Sequence, residues 1–130
     1  MIKNRYITIS KSRLSHFKDQ IPWHKTKQVV EFGSSYGETL DEIGKKYKIK
    51  HLNGFDLQKP KGKEIKFYKE DLNQINLCKY SNQINNSDLF LFLDTLEHLL
   101  NPIEFIKKLS AMQKKGSYLV ASCPNFKSIR

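Results

Sequence analysis

Long apolar runs are missing from this sequence. None approaches the ~20 residues needed to cross a bilayer, and the opening stretch MIKNRYITIS lacks the apolar core of a secretory signal. The expectation is a cytoplasmic protein without membrane contact. Cysteine is scarce: Cys78 and Cys123 stand at a spacing that matches no metal or redox motif. Both fall in apolar segments and are expected to be free thiols. Arginine is also scarce for so basic a chain. The net charge is +10, yet only three of the 23 basic residues are arginine, the side chain that forks onto phosphates and base edges. The 20 lysines are scattered along the chain, and KKYKIK (45–50) and KPKGKEIK (59–66) read as solvated helix-end and loop lysines. A nucleic-acid partner is therefore not expected. Internal repeats are absent, and so is the dinucleotide fingerprint G-x-G-x-x-G.

What is present fits one α/β domain of 130 residues, long enough for a real core. Residues 1–26 are expected to form an N-terminal helical segment. Its helix would be capped by Ser10, carry Leu14, Phe17 and Ile21 on one face, and end at Pro22. Residues 27–130 form the core. KQVVEFG (27–33) is a short buried strand. Residues 36–48 are an amphipathic helix, with Tyr36, Leu40, Ile43 and Tyr47 at helical spacing. Strands are expected over 48–57, ending at Asp56, and over 64–71, ending at Asp71. Residues 73–87 are ambiguous, a short helix followed by a polar loop. DLFLFLD (88–94) has five apolar residues in a row, the mark of burial on both faces in a parallel sheet. Asn101 and Pro102 open a helix as cap and first residue. Phe105, Ile106, Leu109 and Met112 form its stripe, and Gly116 stops it. SYLVASC (117–123) is the last strand. Strands alternating with helices imply a doubly wound parallel sheet.

Four acids stand out: Glu31, Asp56, Asp71 and Asp94 fall at the carboxyl ends of successive expected strands. Ligands of open α/β sheets bind just outside those ends. A ligand with hydroxyls, amines or positive charge is favoured there over one made mainly of phosphate. Glu31 is the oddest of the four, since it lies inside an apolar strand, where a carboxylate is costly unless paired. The turn that follows, Gly33-Ser34-Ser35-Tyr36-Gly37, permits a tight bend. Alone it equally suits an ordinary strand-to-helix connection. Asp56 stands where a carboxylate can accept from both ribose hydroxyls of an adenosine-bearing cofactor.

With DTLEHLLNP (94–102) and Pro124-Asn125 added, residues 27–125 resemble the class I S-adenosylmethionine-dependent methyltransferases. The similarity is to the group containing ubiquinone-biosynthesis O-methyltransferases and many small-molecule and sugar methyltransferases. The group's acid-x-Gly-x-Gly-x-Gly turn is matched by Glu31, Gly33 and Gly37, with Ser35 replacing the middle glycine. Its Asp-x-Leu-Glu-His-Leu-x-x-Pro stretch is matched by Asp94, Leu96, Glu97, His98, Leu99 and Pro102, with one extra residue before the proline. The resemblance implies a Rossmann-like sheet in strand order 3-2-1-4-5, with S-adenosylmethionine as cofactor and a small-molecule acceptor. Glu31 would face the methionine ammonium. Gly33, Ser35 and Gly37 would leave room for the methionine part. Asp56 would hold the ribose, Leu57 would flank the adenine, Asp71 would receive the adenine amine, and Asp94 would lie near the acceptor.

Other readings stand beside these. Glu31 would otherwise cap the next helix, Asp56 serve a turn, and Asp71 belong to a solvated loop. Methyl transfer asks mostly for alignment, plus a base when the acceptor is a hydroxyl. His98 is the candidate base, and otherwise packs on the helix after the fourth strand. Tyr36 and Trp23 would line the pocket or belong to the core. Small-RNA 3′-end methyltransferases use Glu-His here as metal ligands, but no histidine follows His98, so no metal site is expected. A non-catalytic cofactor-binding module is the third class. The resemblance also implies a fold truncated before its final antiparallel strands. The apolar edge at 117–123 would then pair with a second copy or a partner chain.

Overall fold

Five short segments become strands; the three central ones are buried along most of their length, while the two outer ones are mostly half-buried or exposed. The structure, a computed structural model, describes residues 13–60 and 64–122. The strands are β1 (Gln28–Phe32), β2 (His51–Asp56), β3 (Lys66–Lys69), β4 (Leu89–Leu93) and β5 (Tyr118–Ser122). They form one sheet in the order β3-β2-β1-β4-β5, with every pairing parallel. This is the expected doubly wound α/β topology and strand order. All five residues of β4 are buried, as its unbroken apolar run requires.

Alternation along the strands divides the core in two. Val29, Leu52, Leu89, Leu91 and Leu93 face one layer. There they meet Leu40 and Ile43 of helix α1 (Glu38–Tyr47), and Leu14, Phe17 and Ile21 of the N-terminal segment. Val30, Phe32, Phe55, Phe90 and Phe92 face the other. That layer is closed by Ile84 of α2 (Ser81–Asn86) and by Phe105 and Leu109 of α3 (Pro102–Met112). Phe32 stacks on Phe55 at 5.2 Å and on Phe92 at 5.0 Å between ring centroids, and Phe105 meets it edge-on. Such ring pairs add about 0.5–1.5 kcal/mol each beyond the area they bury.

The N-terminal segment departs from expectation. Residues 13–25 form three 3-10 turns, Arg13–His16, Lys18–Gln20 and Trp23–Lys25, not one α-helix. Pro22 has no N–H to give the Lys18 carbonyl, and the Trp23 indole N–H takes that carbonyl instead, at 2.7 Å. Leu14, Phe17 and Ile21 are buried as expected. Trp23 stacks flat on Tyr47, 4.0 Å between centroids, which ties the segment to α1. Ser10 lies outside the described residues.

Smaller differences are local. Tyr36 precedes α1 and is exposed, and Gly37 is the residue flanking the helix start. Asn101 precedes α3 without a side-chain capping bond. Helix α3 ends at Met112, and Gly116 lies in the turn beyond it with φ +89°. The ambiguous stretch resolves into a 3-10 turn, Leu77–Tyr80, followed by α2. Leu77 and Tyr80 point inward at the three-residue spacing of that turn, which leaves Cys78 an exposed free thiol. Cys123, Pro124 and Asn125 lie outside the described residues. No described helix is long and apolar enough to cross a membrane.

Candidate functional site

The carboxyl ends of β1, β2 and β4 meet where the strand order reverses, the usual ligand crevice of such sheets. The loop after β1 is pinned to β2 there. The N–H groups of Gly33 and Ser34 donate to the Phe55 carbonyl at 2.7 and 3.3 Å, and the Ser35 N–H donates to Asp56 Oδ2 at 2.7 Å. Gly33, Ser35 and Gly37 all have positive φ, +77°, +53° and +81°. Ser35 thus keeps the left-handed conformation that glycine adopts without cost, and its backbone is strained.

Glu31 is the penultimate residue of β1 and only 2% exposed. It stands opposite Gly54 on β2 and Leu91 on β4. Gly54 has no side chain because Ser34 sits over it: a Cβ there would lie 2.5 Å from Ser34 Oγ. Glu31 does not cap α1, whose start has no side-chain capping bond. Glu31 Oε1 and Ser34 Oγ are the two buried side-chain polar atoms without a hydrogen-bond partner among the described residues. Both line the same cavity of about 150 Å³, together with Arg13, Gly33, Ser35 and residues of the first turns of α1. Burial drives the Glu31 pKa up to about 8, against the pull of Arg13 and with the help of Glu38 and Asp56.

Arg13 reaches this edge from the N-terminal segment. It donates to the Leu93 carbonyl at 2.9 Å and lies 3.5 Å from Asp94 Oδ2. Asp94 has φ +55°, and its N–H donates to the Ser122 carbonyl at 3.0 Å. The next residue, Thr95, is buried and donates to the Phe32 carbonyl at 3.1 Å. A Cβ on Gly33 would lie 2.3 Å from Thr95 Oγ1, and one on Gly37 would lie 2.7 Å from Phe67 Cζ. The two glycines make room for those side chains within the protein itself.

The other expected site residues fall as follows. Asp56 ends β2 and serves the turn as well, since Oδ1 accepts from the Leu57 N–H at 2.6 Å. Leu57 follows it and is 61% exposed. Asp71 does not end a strand: β3 stops at Lys69, and Asp71 Oδ1 accepts from the Asn73 N–H at 2.9 Å in the loop beyond. His98 sits in the short turn Leu96–His98 with its side chain 78% exposed, 3.8 Å from Glu97. It is not packed on α3. Trp23 belongs to the core layer, not the cavity. No group of three or more potential metal ligands occurs among the described residues. A larger trough of about 580 Å³, lined by Leu72, Leu99, Leu100 and Phe105 among others, shares no residue with the Glu31 cavity.

The structure resembles solved methyltransferases. A Bacillus halodurans protein assigned to the methyltransferases matches with TM-score 0.65 at 14% identity, over 83% of this chain and 49% of its own. An O-methyltransferase family protein from Burkholderia thailandensis gives 0.56 at 12%, over 76% and 33%. The methyltransferase domain of bacterial CtHen1-CN gives 0.65 at 16%, over 92% and 68%. The fold is that of a methyltransferase. The chain spans about half and a third of the first two of these methyltransferases. No protein-family profile matches the sequence, and no curated protein matches it.

Within this methyltransferase fold, the sequence alone missed Arg13, Ser34 and Thr95. Ser34 had a readable signal, as a small polar residue next to the turn glycine. Arg13 had only its rarity, and Thr95 only its place after Asp94.

Proposed function

We propose that this protein binds S-adenosylmethionine and transfers its methyl group to a small-molecule or sugar-type acceptor. The observation that carries the reading is the pair of unpartnered buried atoms, Glu31 Oε1 and Ser34 Oγ, in one small cavity. A buried carboxylate without a partner is costly, and an ammonium group supplies the missing donor. Arg13 on the wall of the same cavity suits the carboxylate of an amino-acid end. Asp56, at the end of β2, would hold the ribose, with Leu57 on the adenine and Asp71 receiving its amine. Gly33, Ser35 and Gly37 keep the loop backbone close to the methionine part, and Asp94 lies toward the acceptor. The cofactor supplies a methyl group already activated on sulfonium, so the protein's task is alignment. His98, exposed beside Glu97, is the candidate base for a hydroxyl acceptor.

Glu31 must lose its proton to pair with an ammonium. Binding at neutral pH should therefore release protons, and calorimetric titration with S-adenosylhomocysteine in buffers of different ionisation enthalpy measures that release. A thermal-shift series that responds to NAD but not to S-adenosylhomocysteine at millimolar concentration would remove the reading. Incubation with labelled methyl donor and a panel of small hydroxyl- and amine-bearing acceptors then tests turnover.

The open edge of β5 is, in the same proposal, where a second copy pairs. The strand is apolar, carries no charged residue or proline between Tyr118 and Ser122, and among the described residues is bonded only to β4. Light scattering behind size exclusion tests it: a monomer at all concentrations would remove the pairing.

A further inference from the structure

The lysines that are scattered along the chain are gathered by the fold. All five strands run the same way, so one edge of the sheet collects what precedes each strand. Lys66 is the first residue of β3, Lys50 immediately precedes β2, and Lys27 immediately precedes β1. Lys114 and Lys115 stand just before β5. Three of the five strands, β1, β2 and β3, thus begin at or directly after a lysine, with Lys66 level with Asn53 further along β2, while Glu31, Asp56 and Asp94 lie at the opposite edge. Asp88, before β4, is spent: Lys114 pairs with it at 2.6 Å, and the backbone N–H groups of Lys27 and Gln28 donate to it. Lys27, Lys50 and Lys66 are exposed, and their ammonium groups form no ion pair among the described residues.

The same edge has a cavity of about 470 Å³ at the starts of β2 and β3. Lys50, His51 and Lys66 line it against a single carboxylate, Glu64, together with Asn82 and Asn86, whose amides bond to each other from Asn86 Nδ2 to Asn82 Oδ1 at 2.9 Å and leave Asn82 Nδ2 and Asn86 Oδ1 to a ligand. That volume lies within the ~300–1,000 Å³ of small-ligand sites. Cations and amides in one lining suit a phosphate joined to a base whose edge both donates and accepts. We propose that this edge binds single-stranded nucleic acid, with Lys27, Lys50 and Lys66 on phosphates of one strand and one base in the adjoining cavity. A base that enters a cavity must be unpaired, which favours a single strand over a duplex. A bilayer surface is disfavoured. Of the large apolar side chains exposed among the described residues, Tyr36, Leu57, Leu100, Ile103 and Tyr118, only Tyr118 stands at this edge. The site lies about 17 Å from the Glu31 cavity, one strand length at ~3.3 Å per residue, so the two sites do not compete.

Fluorescence anisotropy of a labelled single strand of about twelve nucleotides tests this without methyl donor. Three phosphate contacts predict a log–log salt slope of about −2, a loss of roughly 20-fold between about 50 and 200 mM salt. The triple variant K27E/K50E/K66E should lose at least about tenfold in affinity and flatten the slope. The milder pair Lys50→Gln and Lys66→Gln, checked for an unchanged melting curve, should lose roughly three- to tenfold. Lys107→Glu with Lys108→Glu, exposed on α3, should change nothing. No anisotropy change at low salt would overturn the proposal, as would an equal loss in the α3 control. Equal affinity for the duplex would overturn the base in the cavity. Binding to phosphatidylserine vesicles without binding to the strand would make the edge a membrane surface instead.

Discussion

Thr95 fills the space that a side chain on Gly33 would occupy. A Cβ on Gly33 would lie 2.3 Å from Thr95 Oγ1, and Thr95 is held there by its bond to the Phe32 carbonyl. Gly33 also has φ +77°. Gly33→Ala should therefore unfold the protein more easily as well as weaken ligand binding. The left-handed backbone and the forced shift of Thr95 together cost about 2–4 kcal/mol. Urea denaturation measures it, and a variant as stable as the parent would show that the loop relaxes freely.

Ser35 tests the opposite case. Its φ of +53° is strained for serine, and its exposed side chain meets no crowding. Ser35→Gly relieves the strain but adds freedom to the unfolded chain, so the net change should stay within about 1 kcal/mol. Ser35→Val, β-branched in a left-handed conformation, should cost about 1–2 kcal/mol. Equal melting temperatures for the two variants would mean that the loop does not hold this conformation.

Glu31 makes stability depend on pH. Its folded-state pKa is raised to about 8 by burial, from 4.5. Between those values the unfolded chain has released the proton that the folded chain keeps. Stability is full below about pH 4.5 and falls as pH rises toward 8, by at most about 1.4 kcal/mol per pH unit. Glu31→Gln should remove that slope, melt higher than the parent near pH 8 and bind no ammonium-bearing ligand. Parallel pH profiles for the two proteins would place the titration elsewhere.

Asp56 holds both the loop and, in our proposal, the ribose. Asp56→Ala frees the N–H groups of Ser35 and Leu57 and should cost about 1–3 kcal/mol of stability. Asp56→Asn keeps the shape and one acceptor oxygen. It should melt close to the parent yet bind S-adenosylhomocysteine about tenfold more weakly or worse, by calorimetry. Unchanged affinity in the Asn variant would move the ribose away from β2.

The sheet was legible because its information is local. The run from Leu89 to Leu93 needs no partner to declare itself a central strand, and parallel strands then force Glu31, Asp56 and Asp94 to one edge. Asp71 was misplaced by two residues because strand length is set by pairing. The ladder ends where the Glu70 N–H meets the Asp56 carbonyl, which Lys69-Glu70-Asp71 does not reveal. The Leu14, Phe17 and Ile21 spacing suits an α-helix and a chain of 3-10 turns equally, and the indole bond to the Lys18 carbonyl decides between them. Arg13 was invisible for a different reason. Its contact with β4 spans 80 residues of sequence, and no local pattern encodes it. The basic edge escaped in the same way, since lysines far apart in sequence become neighbours only when the strands align.

The stack of Trp23 on Tyr47 gives the molecule a built-in optical probe. Trp23 is the sole tryptophan of the chain, and it sits on the segment that carries Arg13 to the cavity. Its emission therefore reports whether that segment is docked on α1, independently of the sheet. Release of the segment would take the indole off the ring and into water, shifting its emission to the red. The Trp23 emission thus reads, in an unlabelled protein, whether the wall of the cavity is in place.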